Sequence, residues 1–232
     1  MSRIEQMFGP NVWSEIEGST VIDFGCGEGE EAIELASHGA GHVIGVDIRE
    51  SVMDIGRRNA RAAGLSNIVF STNAGRKADV IFSIDAFEHF SEPDIVLRLM
   101  ASLLLPGGKV FIYFGPPWYH PRGGHLFSYF PWAHILLPER VLCWWRAFYR
   151  KDGAKRFREV EGGLNQMSIR RFEKIVEASP FCFRTFECVP IRLARRFHSS
   201  LTRELLTSVV RCELIAKSHA PVQNPVTQIQ KA

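Results

Sequence analysis

The chain has 232 residues, of which 46% are hydrophobic and 23% are charged, a composition that excludes a disordered chain and allows one large α/β domain with or without an insert. The formal net charge of +3 is too small to indicate a nucleic-acid partner. The five cysteines include no Cys-x-x-Cys pair and argue against a disulfide framework; without a long apolar run or a signal-peptide core, we expect a soluble cytoplasmic protein.

The first half of the chain alternates short apolar runs with helical patterns. The predicted strands are Thr20–Phe24, His42–Asp47, Asn67–Ser71, Ala78–Ile84 and Lys109–Phe114. The predicted helices cover residues 28–38, 51–63 and 93–105, with Ser51 as the cap of the second and Pro93 in the first turn of the third. Because several strands are rich in Val and Ile on both faces, they favour a parallel sheet with helices on both sides. Such a sheet binds ligands at the carboxyl ends of its strands.

The second half begins with a change of composition after Phe114, where aromatic residues, proline and glycine become frequent. Ser168 then caps the next predicted helix, and two further strands are predicted near residues 181–190 and 207–217. We predict one domain over residues 1–218, with an insert at residues 115–165 and a flexible tail at residues 219–232.

The most informative stretch joins the first strand to the helix that follows it. It reads Val-Ile-Asp-Phe-Gly-Cys-Gly-Glu-Gly, with Asp23 inside the apolar strand and glycines at positions 25, 27 and 29. Three glycines on alternate positions predict a tight turn whose backbone a ligand approaches too closely for side chains. The loop therefore predicts a nucleotide or nucleoside site made by Gly25, Gly27 and Gly29.

Further candidate contacts follow the second and third strands. Asp47 ends the second strand, where an acid accepts hydrogen bonds from ribose hydroxyls in nucleoside-binding α/β folds. The next residue, Ile48, is expected to lie along the purine face. Asn73 and Ala74 follow the third strand, where they either contact the adenine edge or belong to a solvated loop.

The charges around the glycine loop distinguish between two kinds of ligand. Glu28, Glu30 and Glu31 stand at the helix start, where they would weaken the binding of a pyrophosphate. Glu30 also replaces the last glycine of the dinucleotide pattern. Asp23 suits a ligand with an ammonium group, so adenosine joined to an amino acid fits the loop better than a dinucleotide does.

These motifs resemble those of class I S-adenosylmethionine-dependent methyltransferases, in particular the branch that includes ubiquinone- and menaquinone-biosynthesis methyltransferases. The matching segments are Val21–Gly29, Val43–Asp47, Ser83–His89 and Leu105–Gly108. The resemblance implies a Rossmann-like α/β fold with a seven-stranded sheet of order 3-2-1-4-5-7-6, strand 7 being antiparallel. It also implies S-adenosylmethionine as the cofactor, bound by Asp23, Gly25, Gly27, Gly29, Asp47, Ile48, Asn73, Ala74 and Ser83.

Methyl transfer from a sulfonium is an in-line displacement, and a base is needed only where the acceptor must lose a proton. The candidates for such a base are Asp85, Glu88 and His89 after the fourth strand and Tyr119, His120 and His125 after the fifth. We prefer His120 or His125 over Asp85, with His89 as a further candidate, although any one histidine more often serves a structural hydrogen bond. The histidines lack His-x-His or His-x-x-x-His spacing, so no metal is expected.

The insert indicates the class of acceptor. It contains a cluster of aromatic residues: Trp118, Tyr119, Phe127, Tyr129, Phe130 and Trp132. A helix is predicted at Pro138–Arg150, with an aromatic face (Val141, Leu142, Trp145, Phe148 and Tyr149) and a basic face (Arg140, Arg146 and Arg150). Either the aromatic face packs on the sheet, or it shapes an apolar acceptor pocket or lies on a membrane. In the membrane version, residues 138–158 make the peripheral contact through their basic side chains.

The leading hypothesis is methyl transfer from S-adenosylmethionine to a small or lipid-like acceptor, with oxygen favoured over carbon. Two alternatives remain: a cofactor-binding interaction subunit without catalysis, and an NAD(P)-dependent oxidoreductase, which the loop acids disfavour. Gly115-Pro116-Pro117-Trp118 follows the fifth strand and differs from the Asn-Pro-Pro-Tyr motif of nucleic-acid methyltransferases. We therefore expect no nucleic-acid partner.

Overall fold

The computed structural model describes residues 2–127, 130–151, 153–159 and 163–217. Tyr129 of the aromatic cluster and the tail at residues 219–232 lie outside the described residues. No helix in the described ranges is long and apolar enough to cross a bilayer.

A seven-stranded sheet organises the molecule. Its strands are β1 (Thr20–Phe24), β2 (His42–Val46), β3 (Ile68–Ser71), β4 (Ala78–Ile84), β5 (Leu104–Phe114), β6 (Phe181–Pro190) and β7 (Thr207–Ala216). They lie in the order β3-β2-β1-β4-β5-β7-β6. The strands from β3 to β5 pair in parallel, while β7 is antiparallel to both β5 and β6. The predicted fold class and strand order are confirmed.

Helices cover both faces of the sheet. They are α1 (Arg3–Phe8), α2 (Val12–Ile16), α3 (Glu30–Ser37), α4 (Glu50–Ala62), α5 (Pro93–Leu103), α6 (Ala133–Leu136), α7 (Glu139–Arg146), α8 (Ile169–Ala178) and α9 (Arg203–Leu206). Short 3₁₀ helices lie at Phe87–His89, His125–Phe127, Phe157–Glu159 and Arg192–Phe197. The first two α-helices were not predicted, because each is too short to show a helical period.

The core has two main parts, one on each face of the sheet. In β1, Val21 packs in the cluster that contains Leu35 of α3, while Ile22 packs with Leu97 of α5 and Phe172 of α8. Successive side chains of a strand point to opposite faces, so both faces of β1 are buried. This double burial explains why the central strands are apolar throughout.

Two details of the predicted elements need correction. Ser51 lies inside α4, and the residue before that helix, Arg49, makes no capping hydrogen bond through its side chain. Strand β5 begins at Leu104 and so includes Leu105–Gly108, with a register shift against β4 before Lys109. The helix-start predictions at Pro93 and Ser168 are confirmed.

The helix predicted at Pro138–Arg150 is shorter, and most of its aromatic face is exposed instead of packing on the sheet. Its buried residues are Leu142, Cys143 and Arg146, and the Arg146 guanidinium lies 5.3 Å from the centre of the Phe127 ring. The other members of the predicted aromatic face, Val141, Trp145, Phe148 and Tyr149, are exposed. The assignment of Arg146 to an exposed basic face was therefore wrong, and so was the packing of the aromatic face on the sheet.

The sheet topology brings three chain segments to one edge. Strands β5 and β6 both run antiparallel to β7, so Phe114, Pro190 and Thr207 lie at the same edge as the carboxyl ends of β1 and β4. The insert leaves the sheet there, and the connection from β6 to β7 crosses there.

Candidate functional site

The glycine loop after β1 has the left-handed conformation that its glycines predict. The φ angles are 87° at Gly25, 51° at Gly27 and 81° at Gly29. The backbone N–H groups of Gly25 and Cys26 donate to the Val46 carbonyl at 2.7 and 3.0 Å, which fixes the loop against β2.

Two of the three glycines are required by the protein itself. A Cβ at Gly25 would lie 2.6 Å from the Ala86 side chain, and one at Gly29 would lie 2.4 Å from the Phe70 ring. At Gly27 the nearest atom would be the Arg49 guanidinium at 3.9 Å. Packing within the protein is thus a second reason for glycine at positions 25 and 29, in addition to the expected approach of a ligand.

Asp47 lies beside this loop, as expected for an acid at the end of the second strand. Its Oδ2 accepts a hydrogen bond from Gly27 N–H at 3.0 Å, and its Oδ1 accepts from Arg49 N–H at 2.9 Å. The Arg49 side chain also donates to Oδ1, from Nε at 3.2 Å. The carboxylate is thus oriented by backbone groups, with a guanidinium on its solvent side.

Two adjoining cavities open at the carboxyl edge of the sheet. The loop cavity has a volume of about 280 Å³ and is lined by Arg3, Gly25, Cys26, Gly27, Glu28, Gly29, Glu30, Glu31, Arg49, Ile84 and Asp85. The strand-end cavity has a volume of about 450 Å³ and is lined by Arg3, Gln6, Met7, Asp85, Tyr113, Gly115, Pro116, Ser208 and Val209. Arg3 and Asp85 line both cavities, so these two side chains mark the boundary between them.

Arg3 was missed by the sequence analysis. From α1, its guanidinium donates to Asp85 Oδ2 at 2.6 Å and also pairs with Glu31 at the start of α3. Burial raises the pKa of both carboxyls, and the positive charge of Arg3 opposes that rise. A single arginine in an unrecognised six-residue helix carries no sequence signal for this position.

Asp23 is buried beneath the loop and lines neither cavity. Its side chain is 2% exposed, and its Oδ2 has no hydrogen-bond partner among the described residues. Burial, reinforced by the nearby charge of Glu31, holds the pKa of Asp23 well above its usual value. The glutamates that line the loop cavity above Asp23 (Glu28, Glu30 and Glu31) favour a cationic ligand and oppose an anionic one.

The other predicted cofactor residues have different surroundings. Ile48 is 91% exposed directly after Asp47, as a surface for a purine ring requires. Asn73 instead uses its amide oxygen to accept from Gly75 N–H at 3.1 Å, while Ala74 is buried in the core. Asn73 is exposed and bonded within its own loop, as in the solvated-loop alternative, whereas buried Ala74 does not match that alternative. Ser83 is fully buried inside β4 and lines neither cavity, so its assignment to the cofactor site needs correction.

The histidine candidates are all held by backbone groups. His120 Nδ1 accepts from Arg122 N–H at 2.9 Å, His125 Nε2 bonds to the Pro116 carbonyl at 3.3 Å, and His89 Nδ1 bonds to the Gly163 carbonyl at 2.7 Å. Burial, followed by the charge of Arg122, lowers the pKa of His120 to about 4, and burial also lowers the pKa of His125.

None of these three histidines lines either cavity, whereas Asp85 lines both. The geometry reverses the order of preference for a base that the sequence suggested. Within the described ranges, no group of three or more His, Cys, Asp or Glu side chains is arranged to hold a metal ion.

Glu88, another of the candidates after the fourth strand, lies in the 3₁₀ helix Phe87–His89. It is 3% exposed, its Oε1 accepts from Gly115 N–H at 3.4 Å, and its Oε2 has no partner in the part of the chain that the structure describes. Burial raises the pKa of Glu88 to about 8, so the carboxyl is mostly protonated at neutral pH. Asn165 N–H donates to the Glu88 carbonyl at 2.9 Å, which ties the end of the insert to the same turn.

Comparison with known proteins identifies the family. A family model described as a methyltransferase domain matches residues 2–160. Ubiquinone biosynthesis O-methyltransferase from Coxiella burnetii is 34% identical over 102 residues, which cover 41% of this chain and 43% of the relative. The same enzyme from Aeromonas salmonicida is 33% identical over 102 residues, which cover 41% of this chain and 42% of the relative. The chain therefore matches less than half the length of these curated relatives.

Solved structures share the fold across most of the chain. Magnesium protoporphyrin IX methyltransferase from Synechocystis, solved with S-adenosylhomocysteine, has a TM-score of 0.56 and 17% identity over 94% of this chain and 88% of its own. The cyclase SpnF has a TM-score of 0.57 and 17% identity over 88% of this chain and 78% of its own. Identities this low support the fold alone. The family match across most of the chain, together with the glycine loop and the strand order, shows that the protein belongs to the class I S-adenosylmethionine-dependent methyltransferases, whose cofactor is S-adenosylmethionine.

Proposed function

We propose that this protein transfers a methyl group from S-adenosylmethionine to a small or lipid-like acceptor, with oxygen favoured as the acceptor atom. The observation that carries the proposal is the pair of adjoining cavities that share Arg3 and Asp85. When bound, the cofactor supplies an electrophilic methyl group on a sulfonium. Because in-line transfer needs donor and acceptor on opposite sides of that methyl group, two sites with a common boundary suit the reaction.

The charge of the loop cavity supports a cationic donor. Glu28, Glu30, Glu31 and Asp85 all line it, and such a set of carboxylates attracts sulfonium and ammonium groups and repels phosphates. Asp47 is placed to accept the ribose hydroxyls in exchange for its hydrogen bonds to the Arg49 side chain. Arg3 faces the same cavity and provides a guanidinium for the donor's carboxylate.

The strand-end cavity is the acceptor site in this proposal. Its volume of about 450 Å³ lies within the range of small-molecule pockets. Asp85 is the group that we expect to accept the proton of a hydroxyl acceptor. Its raised pKa makes it a stronger base than an ordinary aspartate, and Arg3 keeps it ionised. This need for a base favours an oxygen acceptor over one that has no proton to lose.

Two parts of the chain complete the proposed acceptor side. Residues 115–165 form a lid that begins at the wall of the strand-end cavity, where Gly115 and Pro116 lie. Residues 138–158 carry exposed aromatic and basic side chains and make peripheral contact with a membrane. We propose that residues 1–218 work as one domain without a nucleic-acid partner.

Calorimetry with S-adenosylmethionine and NADH tests the donor site. We expect binding of the first ligand only, and Asp47→Asn should weaken it by about 1–3 kcal/mol, since the ribose hydroxyls lose a charged acceptor. Asp54→Asn is the matched control, because Asp54 is an exposed carboxylate on α4 that pairs with Arg57. Binding of NADH in place of S-adenosylmethionine would reject the proposed function in favour of an oxidoreductase.

A methyl-transfer assay separates an enzyme from a non-catalytic cofactor-binding subunit. The labelled-methyl screen covers phenols, quinone precursors, sugars and lipids. Once an acceptor is identified, Asp85→Asn should lower kcat by about 10²–10⁴-fold through loss of the base. Its Kd for S-adenosylmethionine, measured by calorimetry, should stay within a few-fold of the native value. A chain that binds the donor and methylates no member of any class would support the non-catalytic alternative.

A further inference from the structure

The connection between β6 and β7 carries an apolar surface that the described part of the chain leaves exposed. This connection surface consists of the exposed side chains of Leu193, Phe197, Leu201 and Leu205. Leu193 and Leu201 are 92% and 90% exposed, values that leave almost the whole side chain in water. Several exposed apolar side chains within one short segment are unfavourable in water, and such patches mark interaction sites.

The same segment is strongly basic. Arg192, Arg195 and Arg196 are exposed beside the apolar side chains, and the sequence has no acid from Ile191 to Arg203. The first acid, Glu204, accepts hydrogen bonds from the backbone of Ile169 and Arg170 and so points to α8. The charge of the connection surface is therefore uncompensated within its own segment.

A second surface of the same kind lies on α6 and α7. This insert surface includes Leu136, Trp144 and Phe148, which are 68%, 66% and 71% exposed. Exposed basic residues accompany them: Arg140, Arg150, Lys151, Lys155, Arg156 and Arg158. Aromatic side chains with neighbouring arginines and lysines are typical of segments that lie in the headgroup region of a bilayer.

Hydrogen bonds tie both segments to the start of α8. At the base of the insert, Trp118 N–H donates to the Met167 carbonyl at 2.7 Å. From the connection, the Glu204 carboxylate accepts from Ile169 N–H at 3.1 Å. Both segments thus meet at residues 167–170, on the edge of the sheet where the cavities open.

The strand-end cavity lies between the two segments. Gly115 and Pro116 of its wall begin the insert, and Ser208 and Val209 of its wall directly follow the connection. The cavity wall is therefore continuous in sequence with the two chain segments that carry the apolar, basic surfaces.

We infer that the connection surface and the insert surface together dock the protein on an anionic phospholipid bilayer. The leucines and aromatic rings enter the headgroup region, while the arginines and lysines attract the anionic lipids. A second copy of this chain is disfavoured as the binding partner of these surfaces, because a symmetric contact between two copies would place the arginines of one copy against those of the other. The inference rests on the proposed function only in its consequence, which is that a lipid-like acceptor enters the strand-end cavity from the membrane.

Vesicle sedimentation at low salt tests the docking without any acceptor. The full chain should bind vesicles of phosphatidylcholine mixed with phosphatidylglycerol, and should bind pure phosphatidylcholine weakly. Leu193→Ser combined with Leu201→Ser should lower the partition to the anionic vesicles by about tenfold, and Arg195→Gln combined with Arg196→Gln should lower it to a similar extent. Leu105→Ser is the matched control, since Leu105 is an exposed leucine at the opposite end of β5.

Each result either supports or overturns the inference. It is overturned if the chain does not bind anionic vesicles. It is also overturned if only Trp144→Ser and Phe148→Ser lower the partition, while the leucine and arginine variants of the connection surface bind as the Leu105→Ser control does. Ultracentrifugation that shows a dimer disrupted by the Leu193 and Leu201 substitutions would also overturn it, in favour of a contact between copies. The affinity of every variant for S-adenosylmethionine is measured without vesicles and shows whether the variant is folded. A native chain that binds the donor and not the vesicles contradicts the docking inference alone, whereas a native chain that does not bind the donor contradicts the proposed function.

Discussion

The loop side, which we propose as the donor side, and the insert side, which we propose as the acceptor side, are held together in different ways. The backbone N–H groups of the loop after β1 donate hydrogen bonds to the Val46 carbonyl and to the Asp47 carboxylate. Close packing at Gly25 and Gly29 also fixes this loop. The insert instead has a small core of its own, formed by Phe127, Ala133, Leu142, Cys143, Phe157 and Leu164, and it keeps large aromatic rings in water. The donor site is thus built as part of the main core, whereas the acceptor side is an addition with its own packing and exposed surfaces.

The largest effect that tests this contrast is expected from Gly29→Ala. A Cβ there would lie 2.4 Å from the Phe70 ring, at a φ of 81° that L-residues rarely adopt. We expect a loss of about 3–5 kcal/mol in the free energy of unfolding, from overpacking and backbone strain together. Denaturation by urea measures it.

Gly64→Ala is the matched control for that substitution. Gly64 has a φ of 70° and nothing within 4 Å of the added Cβ, so only the backbone strain remains. The expected loss is about 1 kcal/mol. Equal losses for the two variants would show that the Phe70 contact contributes nothing and that the donor loop is not locked by packing.

The sequence predicted the strands and the turn around the glycine loop well because local rules and tertiary packing agree there. Strands buried on both faces, such as β1 and β4, are short apolar runs bounded by turn residues, and their limits were predicted to the residue. Asp47 was located because a parallel sheet brings the carboxyl ends of its strands to one edge. Gly27 was located by the alternation of glycines in the loop.

The rest of the site depends on tertiary contacts that leave no local pattern. Arg3 reaches Asp85 across 82 positions of sequence, and Glu88 is buried by an insert whose path the sequence does not define. Ser83 lies within a matching motif, yet the alternation of β4 directs its side chain into the core. The period of α7 predicted an aromatic face, but which face is covered depends on Phe127 and on the insert's own core.

Leu142→Ala and Trp144→Ala test which face of α7 is covered. Leu142 is fully buried in the insert core, so its truncation should cost about 2–4 kcal/mol and loosen the insert. Trp144 is 66% exposed, and its truncation should change the free energy of unfolding by less than about 0.5 kcal/mol. Hydrogen exchange over residues 133–159 measures both effects locally. A larger effect from Trp144 than from Leu142 would contradict the observed packing.

The last test is pH-dependent and concerns Glu88, whose carboxyl accepts a hydrogen bond from Gly115 N–H at the start of the insert. Its pKa rises from 4.5 to about 8 on burial, so the folded chain holds this proton more tightly than the unfolded chain does. The contribution of Glu88 to the free energy of unfolding is fully present below pH 4.5 and is lost as the pH rises towards 8. The free energy of unfolding of the native chain, minus that of Glu88→Gln, should fall by at most ~1.4 kcal/mol per pH unit in that window.

The difference between native and variant curves cancels the titration of Asp23 and Glu31, which both chains share. Glu92→Gln removes an exposed carboxyl four residues along the chain and should leave the native pH profile unchanged. If the Glu88 difference stays flat from pH 4.5 to 8, the carboxyl is ionised in the folded chain and the turn at Gly115 is open to water. A sloping difference instead means that the Glu88 carboxyl stays protonated and shielded from water in the folded chain as the pH rises towards 8.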